Sequence, residues 1–272
     1  MKQRSLLSRL HINGICYLVG ALILLLGVPI YQQLVLVPLG YSSALASSNS
    51  GNFLPYLVWI HSYSFQFVVY RALLGIAFLL LLTLPFTLFR IIVAQEILGQ
   101  QGQTEEIATD EPSDTEQSET DGMPAYAWRG KGFAIVAAWS GLFGLIIYIL
   151  GTIASTLYFI VVSNGSPLLS TLVKPTSVLS LATNTVGIGL LALATLFFGA
   201  VIARSGRKLW PDPWVAFGYL ALAVAALLSG SAVAVASIPT QGQAVLTSPA
   251  ILLFALWVFW MGIMLVRLKP EP

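Results

Sequence analysis

Six long runs of apolar residues dominate this sequence, and each is long enough to cross a lipid bilayer as a helix. They cover residues 15–37, 70–90, 132–162, 181–203, 214–238 and 249–266. A membrane helix needs about 20 apolar residues to cross roughly 30 Å of hydrocarbon. Only 9% of the residues are charged, far below the share in ordinary soluble domains. The sequence therefore predicts an all-α, polytopic membrane bundle of six transmembrane helices and excludes an ordinary soluble enzyme.

Prolines and capping residues mark where several of these helices begin or bend. Asp212 and Pro213 together favour a helix start, and Ser248 and Pro249 repeat that pattern before the last run. Pro85 lies inside the second run, where it removes a backbone hydrogen bond and predicts a kink. The third run is longer than a bilayer requires, so that helix is expected to tilt or to project from the membrane.

The basic residues predict the orientation of the chain in the membrane. If the six runs alternate in direction, eleven of the thirteen Lys and Arg residues fall on one side, and Arg71 and Lys174 fall on the other. Because cytoplasmic loops carry an excess of Lys and Arg, both termini are predicted to be cytoplasmic, in the inner or plasma membrane. A competing interpretation is a signal peptide cleaved near residues 44–46, although the first apolar run is longer than in most signal peptides.

The acidic residues are concentrated between the second and third runs. Eight of the eleven lie there: Glu105, Glu106, Asp110, Glu111, Asp114, Glu116, Glu119 and Asp121. This stretch has too few large apolar residues to fold by itself. The predicted organisation is a two-helix hairpin at 1–94 with an external loop at 38–69, an acidic disordered cytoplasmic linker at 95–128, and a four-helix bundle at 129–272. The alternatives for the linker are a docking tether or a divalent-cation site, although it lacks calcium-loop spacing.

The external loop contains an apolar stretch at residues 53–61 that is too hydrophobic for a free loop. It predicts a short helix that lies along the membrane interface or packs on the bundle. The alternative is that the second transmembrane helix starts earlier and continues outward as one long helix.

Ionisable and metal-binding residues are scarce within the apolar runs. No Asp or Glu lies inside any of the six, which argues against a proton-coupled carrier, because such carriers use buried ionisable groups. The two histidines, His11 and His61, are predicted on opposite sides of the membrane, so they cannot jointly bind a metal or haem. The sequence therefore predicts no catalytic residues, no metal site and no cofactor.

Three polar residues remain as possible polar-cavity or ligand contacts: Gln32, Arg71 and Asn184. Arg71 either extends its side chain to the outer headgroups or contacts an anion or a lipid headgroup. Asn184 either forms a hydrogen bond between helices or lines a cavity.

Small residues recur at helical spacing in two of the runs. Ala137, Gly141 and Gly144 share one face of the third run, and Ala226 and Gly230 share one face of the fifth. Such spacings allow helix backbones to approach closely in membranes, so both faces are predicted to contact another helix.

The end of the chain has a recognisable combination of segments. The residues Phe197-Phe-Gly-Ala-Val-Ile-Ala-Arg-Ser-Gly-Arg207 precede a proline-containing turn, an Ala/Leu/Gly-rich run, and a last helix that ends with residues 256–267. Over about the last 80 residues this resembles a broad class of bacterial six-helix integral membrane proteins of unknown function. The resemblance implies a short cytoplasmic Arg-Ser-Gly turn between helices four and five, and no catalytic residues. The acidic stretch after the second run departs from this class.

These observations predict a non-enzymatic membrane protein with a structural or accessory role. Its expected partners are the lipid bilayer and other membrane proteins. Nucleic acid is not an expected partner, since the net charge is only +2. The first alternative is a transporter or facilitator for a small neutral or lipophilic solute, and the second is an enzyme.

Overall fold

The computed structural model describes residues 2–49, 54–109, 125–164, 181–237 and 247–268. These residues are helical apart from short turns, and none of them forms a strand. Six helical stretches are long and apolar enough to cross a membrane: Leu10–Leu36, Ser64–Gln95, Gly132–Asn164, Thr183–Arg207, Asp212–Ala234 and Ser248–Val266. The prediction of an all-α, six-span membrane protein is therefore confirmed.

Ten α-helices and three π-helical segments build the described part of the chain. The α-helices are α1 Lys2–Leu22, α2 Val28–Tyr31, α3 Tyr41–Asn49, α4 Leu54–Ser62, α5 Ser64–Leu80, α6 Leu84–Thr109, α7 Ala125–Asn164, α8 Ile188–Leu209, α9 Asp212–Ser237 and α10 Thr247–Val266. The π-helical segments are Ile23–Gly27 and Gln32–Leu36 in the first span, and Leu181–Gly187 before α8. The start predicted at Asp212 is confirmed, and the last helix begins one residue before Ser248.

The second span is broken just before Pro85, as the sequence predicts. α5 ends at Leu80 and α6 begins at Leu84. Proline has no amide hydrogen, so the carbonyl of Leu81, four residues earlier, loses its helical partner. That carbonyl accepts a hydrogen bond from the amide of Leu84 instead, at 2.9 Å. The break therefore leaves no orphan carbonyl at this position in the bilayer.

The third and fourth spans approach each other at backbone distance. A Cβ atom added to Gly144 would lie 2.9 Å from the carbonyl oxygen of Gly187. One added to Gly141 would lie 2.9 Å from the Pro85 ring, so the second span also packs closely against this glycine at its break. Since any side chain here would clash, the close contact predicted from the small residues of the third run is confirmed.

Glycines also line two further helix pairs, but not where the fifth run predicted one. A Cβ on Gly199 would lie 2.9 Å from the Gly218 oxygen, and one on Gly262 would lie 3.0 Å from the Gly14 oxygen. In contrast, no atom of the described chain lies within 4 Å of a Cβ added to Gly230. The predicted contact through Ala226 and Gly230 is wrong for the described residues, because α9 turns its Gly218 face toward α8 instead.

One apolar core joins helices from both sides of the predicted linker. α1 packs along α10, and buried residues of all six spans contribute to this core. α6 continues to Thr109 and α7 begins at Ala125, so helix extends into both ends of the predicted 95–128 linker. Gln, Glu and Ala are good helix formers, which favours this extension. Residues 110–124 lie outside the described residues, and the division into two plus four spans stays a prediction.

A second, smaller core lies under α3 and α4. We call these two helices and the core beneath them the aromatic cap. Its buried residues are Leu36, Tyr41, Ala44, Tyr56, Trp59, Ile60 and Phe67. The cap packs on the bundle through contacts of α4 with α5 and α7. Tyr63, at φ −127° and ψ 40°, has a non-helical backbone and separates α4 from α5. Of the predicted alternatives, the short helix packed on the bundle is therefore confirmed, and the single long helix is wrong.

The two ends of the bundle differ in chemistry. At one end, which we call the basic end, lie Arg90, Arg204, Arg207 and Arg267, close to the ends of the membrane spans. There His11 Nε2 lies 3.0 Å from the carbonyl oxygen of Leu268, and Gln95 Nε2 donates to the carbonyl of Leu209 at 2.6 Å. The opposite end, with the aromatic cap, we call the aromatic end.

Candidate functional site

Arg71 is held inside the aromatic end by its neighbours on α5 and α7. Its Nη2 donates a hydrogen bond to the hydroxyl of Ser155 at 2.9 Å. Its guanidinium carbon lies 5.5 Å from the centre of the Phe67 ring, one turn earlier on the same helix. Its Nε is buried and has no hydrogen-bond partner in the described structure. The guanidinium is thus held by Ser155 and Phe67, and its buried Nε–H has no partner among the described residues.

Four tyrosines lie within electrostatic reach of this guanidinium: Tyr41, Tyr56, Tyr70 and Tyr148. The Tyr41 ring centre lies 6.4 Å from that of Tyr56 and 6.0 Å from that of Tyr70. Since Tyr41 belongs to α3 and Tyr56 to α4, the aromatic cap contributes directly to the surroundings of Arg71. Four helices, α3, α4, α5 and α7, therefore build the site.

The two cap tyrosines are neutral groups in this site. Burial raises the pKa of Tyr41 well above its ordinary value and also raises the pKa of Tyr56, because a buried phenolate loses its hydration. The charge of Arg71 opposes this effect, but it is a smaller contribution than burial. Both phenols therefore stay protonated near neutral pH. They hydrogen-bond to each other and do not neutralise the charge of Arg71.

No carboxylate pairs with Arg71 among the side chains that the structure describes. Glu96, Glu105 and Glu106 follow Arg90 along α6, away from the aromatic end, and Asp212 lies at the basic end. Asp212 Oδ1 instead pairs with Arg207 Nε at 2.8 Å, on an exposed surface. Within the described residues, the charge of Arg71 is consequently uncompensated.

The structure places the other two predicted site residues differently from each other. Gln32 begins a π-helical segment that packs on α5, the helix of Arg71. Asn184 lies half-buried in the π-helical segment Leu181–Gly187, which packs on α7 and α9. Asn184 also has interactions of its own. Gln32 and Asn184 stay predictions as ligand contacts.

A hydroxyl network at the break of the second span was missed from the sequence. The Tyr17 hydroxyl lies 2.9 Å from Thr83 Oγ1 and 2.7 Å from Thr87 Oγ1, and Asn13 Nδ2 donates to Thr87 Oγ1 at 3.2 Å. The threonines flank Pro85, and Asn13 and Tyr17 are four residues apart on α1. The spacing of Asn13 and Tyr17 is visible in the sequence. Connecting them to Thr83 and Thr87 requires knowing that α1 lies beside the break.

A small apolar cavity borders the same break. The centre of a water-sized sphere can move within a volume of about 10 Å³. This is the lower limit for a cavity that holds one water molecule. Its lining residues are Leu84, Pro85, Leu88, Gly141, Leu145, Leu191, Ala194, Thr195, Phe198, Phe254 and Trp257. No polar atom is exposed to it, so the cavity is suited neither to a polar solute nor to an ion.

The two histidines lie at opposite ends of the bundle, as predicted. His11 contacts Leu268 at the basic end, whereas His61 Nδ1 lies 2.9 Å from Asn164 Oδ1 at the aromatic end. Among the described residues, no three His, Cys, Asp or Glu side chains are grouped where they could hold a metal ion.

Comparison with known protein families, with curated proteins and with solved structures finds no match to this chain. The resemblance to bacterial six-helix membrane proteins therefore stays a prediction. The chemistry of the chain has to be read from its own residues, among which Arg71 and its tyrosines form the most unusual group.

Proposed function

We propose that this chain is a non-catalytic integral membrane protein with a structural or accessory role. The observation that carries the proposal is the backbone-level packing of its spans. Gly144 against Gly187, Gly199 against Gly218, and Gly262 against Gly14 close three separate helix pairs. Helices packed this tightly favour one fixed arrangement over the alternating arrangements that a carrier needs.

The proposal includes the orientation in the cell membrane, with both termini cytoplasmic. It is supported by the arginines of the described chain, which gather at the basic end while Arg71 alone lies toward the aromatic end. The test uses a Cys16→Ala background and an impermeant thiol reagent on intact cells. Glu106→Cys is expected to stay unlabelled and His61→Cys to be labelled, and the reverse pattern would invert the orientation.

An accessory role predicts a defined partner in the native membrane. Extraction in polymer nanodiscs, without detergent, keeps neighbouring membrane proteins together with the chain. Native mass spectrometry is expected to show a second protein at a fixed ratio to this chain across independent preparations. Particles that contain this chain and lipid alone would contradict an accessory role.

The second candidate is a facilitator for a small neutral or lipophilic solute. The broken second span favours it, because the Tyr17, Thr83 and Thr87 hydroxyls place a polar network there within the apolar bundle. Stopped-flow swelling of proteoliposomes in glycerol and urea tests it. If the role is structural, the proteoliposomes should be no more permeable to these solutes than protein-free vesicles. A severalfold rise that Tyr17→Phe abolishes, and the exposed control Tyr219→Phe retains, would establish the facilitator instead.

A further inference from the structure

The uncompensated charge of Arg71 requires a chemical explanation. A cation within a transmembrane span is costly unless it is paired, hydrated or extended to the headgroups. Arg71 is the seventh residue after Ser64, where α5 and the second span begin. At 1.5 Å per residue this is about 10 Å along the helix. Arg71 therefore lies toward the aromatic end of the span, where its half-buried side chain reaches back over Phe67, and the neighbouring phenols are neutral.

Simple extension of the side chain toward water does not account for these contacts. A snorkelling arginine lays its stem on apolar surface and keeps its charged head in water. Here Nη2 is held by Ser155, the guanidinium faces Phe67, and Nε is buried. Tyr41 and Tyr56 of the aromatic cap lie within electrostatic reach of the guanidinium. The charge is thus held beside neutral side chains, where a bound anion would balance it.

We propose that Arg71, held by Ser155 beside the neutral phenols of Tyr41 and Tyr56, forms a binding site for a phosphate group. A guanidinium offers a planar fork of donors that matches phosphate oxygens and forms charge-assisted hydrogen bonds with them. The Tyr41 and Tyr56 hydroxyls, which hydrogen-bond to each other, are neutral and do not repel the anion. The phosphate belongs either to an anionic phospholipid headgroup or to free inorganic phosphate, and both present the same oxygens to Arg71.

The test uses the full chain, purified and delipidated in an uncharged maltoside detergent. Three additions are compared: phosphatidylglycerol, digalactosyldiacylglycerol, which is uncharged and lacks phosphate, and inorganic phosphate against chloride at equal ionic strength. Native mass spectrometry measures lipid retention, and the thermal unfolding midpoint measures the binding of each addition. We expect phosphatidylglycerol to be retained and to raise the midpoint well above the effect of the galactolipid.

Arg71→Gln and Arg90→Gln form a matched pair, since both residues lie on the second span at its opposite ends. Arg71→Gln is expected to weaken phosphatidylglycerol binding by about tenfold or more, because it removes charge-assisted hydrogen bonds. Arg90→Gln should bind phosphatidylglycerol like the unchanged chain. Equal binding by both variants would overturn the proposal.

The remaining outcomes also decide the question. Stabilisation by inorganic phosphate alone, lost in Arg71→Gln, would identify free phosphate as the ligand and support the site. Equal retention of phosphatidylglycerol and galactolipid, with no effect of phosphate, would overturn the proposal on the unchanged chain. That result does not require the Arg71→Gln variant to fold.

Discussion

The bundle and the aromatic cap are held together in opposite ways. Between spans, the closest contacts are made by residues without side chains, such as Gly144 against Gly187. In the cap, contacts are made by large rings, with the Tyr41 ring centre 5.0 Å from that of Trp59 and the Trp59 Nε1 donating to the Leu39 carbonyl at 2.8 Å. The first mode brings backbones together, and the second fills a space between helices that stay apart.

This difference explains where a ligand can bind. Backbone-level packing leaves little room, and the described cavity beside Gly141 accommodates at most about one water molecule. Ring packing around Arg71 leaves a guanidinium donor without a protein partner. Chemistry is therefore expected at the aromatic end, and rigidity within the bundle.

The largest effect is expected from a side chain placed in the bundle contact. Gly144→Leu should prevent the native bundle from forming, because a Cβ there would meet the Gly187 oxygen at 2.9 Å and the Leu191 nitrogen at 3.0 Å. Overpacking costs about 1–3 kcal/mol when neighbours can shift, and backbone atoms shift least. Size-exclusion profiles and thermal unfolding measure this. Gly75→Leu, which has no described atom within 4 Å of its Cβ position, should fold normally, and equal damage by both would contradict the packing.

A smaller and local effect is expected from the cap. Trp59→Ala should release α3 and α4 at a cost of about 3 kcal/mol, because it leaves a void and an unpaired Leu39 carbonyl. Hydrogen–deuterium exchange should rise in Tyr41–Asn49 and Leu54–Ser62. It should stay unchanged in α8 and α9. Phe65→Ala, at a ring that is 73% exposed, is the control, and exchange that rose throughout the bundle would show that the two regions are one unit.

High pH should weaken the cap more than the bundle. Burial raises the pKa of Tyr41 and Tyr56, so folding favours their protonated form. This contribution is fully present below the ordinary tyrosine pKa of about 10 and is lost as pH rises through the higher folded values. The unfolding midpoint should stay level from about pH 8 to 9 and fall above about pH 10. Replacing both tyrosines by Phe should reduce the fall, whereas Phe65→Leu should not, and an identical fall in all three would refute the assignment.

The smallest effect is expected at the basic end, where an arginine does have a partner. Asp212→Asn removes the ion pair with Arg207. The Arg207 side chain is 83% exposed and the Asp212 side chain is 74% exposed. The substitution should change stability by no more than about 0.5 kcal/mol, because water screens exposed pairs and Asn also caps a helix. Chemical unfolding of both proteins measures the difference. A larger loss would mean that Arg207 is less exposed to water in the membrane than its surface position suggests.

The spans, the kink at Pro85 and the contact through Gly141 could be predicted, because each depends on local sequence and helical spacing. The pairing of α1 with α10 could not, since apolar faces in lipid do not identify their partners. For the same reason, Ala226 and Gly230 predicted a contact that the described structure lacks. Arg71 was found as a charge in an apolar run, but its surroundings depend on how the cap folds back. That placement is tertiary information, which no short pattern contains.

The two π-helical segments of the first span have a further consequence. A π-helical turn holds about one residue more than an α-helical turn, and one residue corresponds to about 100° around the helix axis. Tyr17, Ala21, Leu24 and Val28 belong to the bundle core, whereas Leu36, at the end of the second π-helical segment, belongs to the core of the aromatic cap. In evolutionary terms, each such turn is equivalent to a one-residue insertion that a continuous helix absorbs. One helix can thereby serve two cores, and a single-residue deletion at 32–36 would rotate the start of the cap away from Arg71.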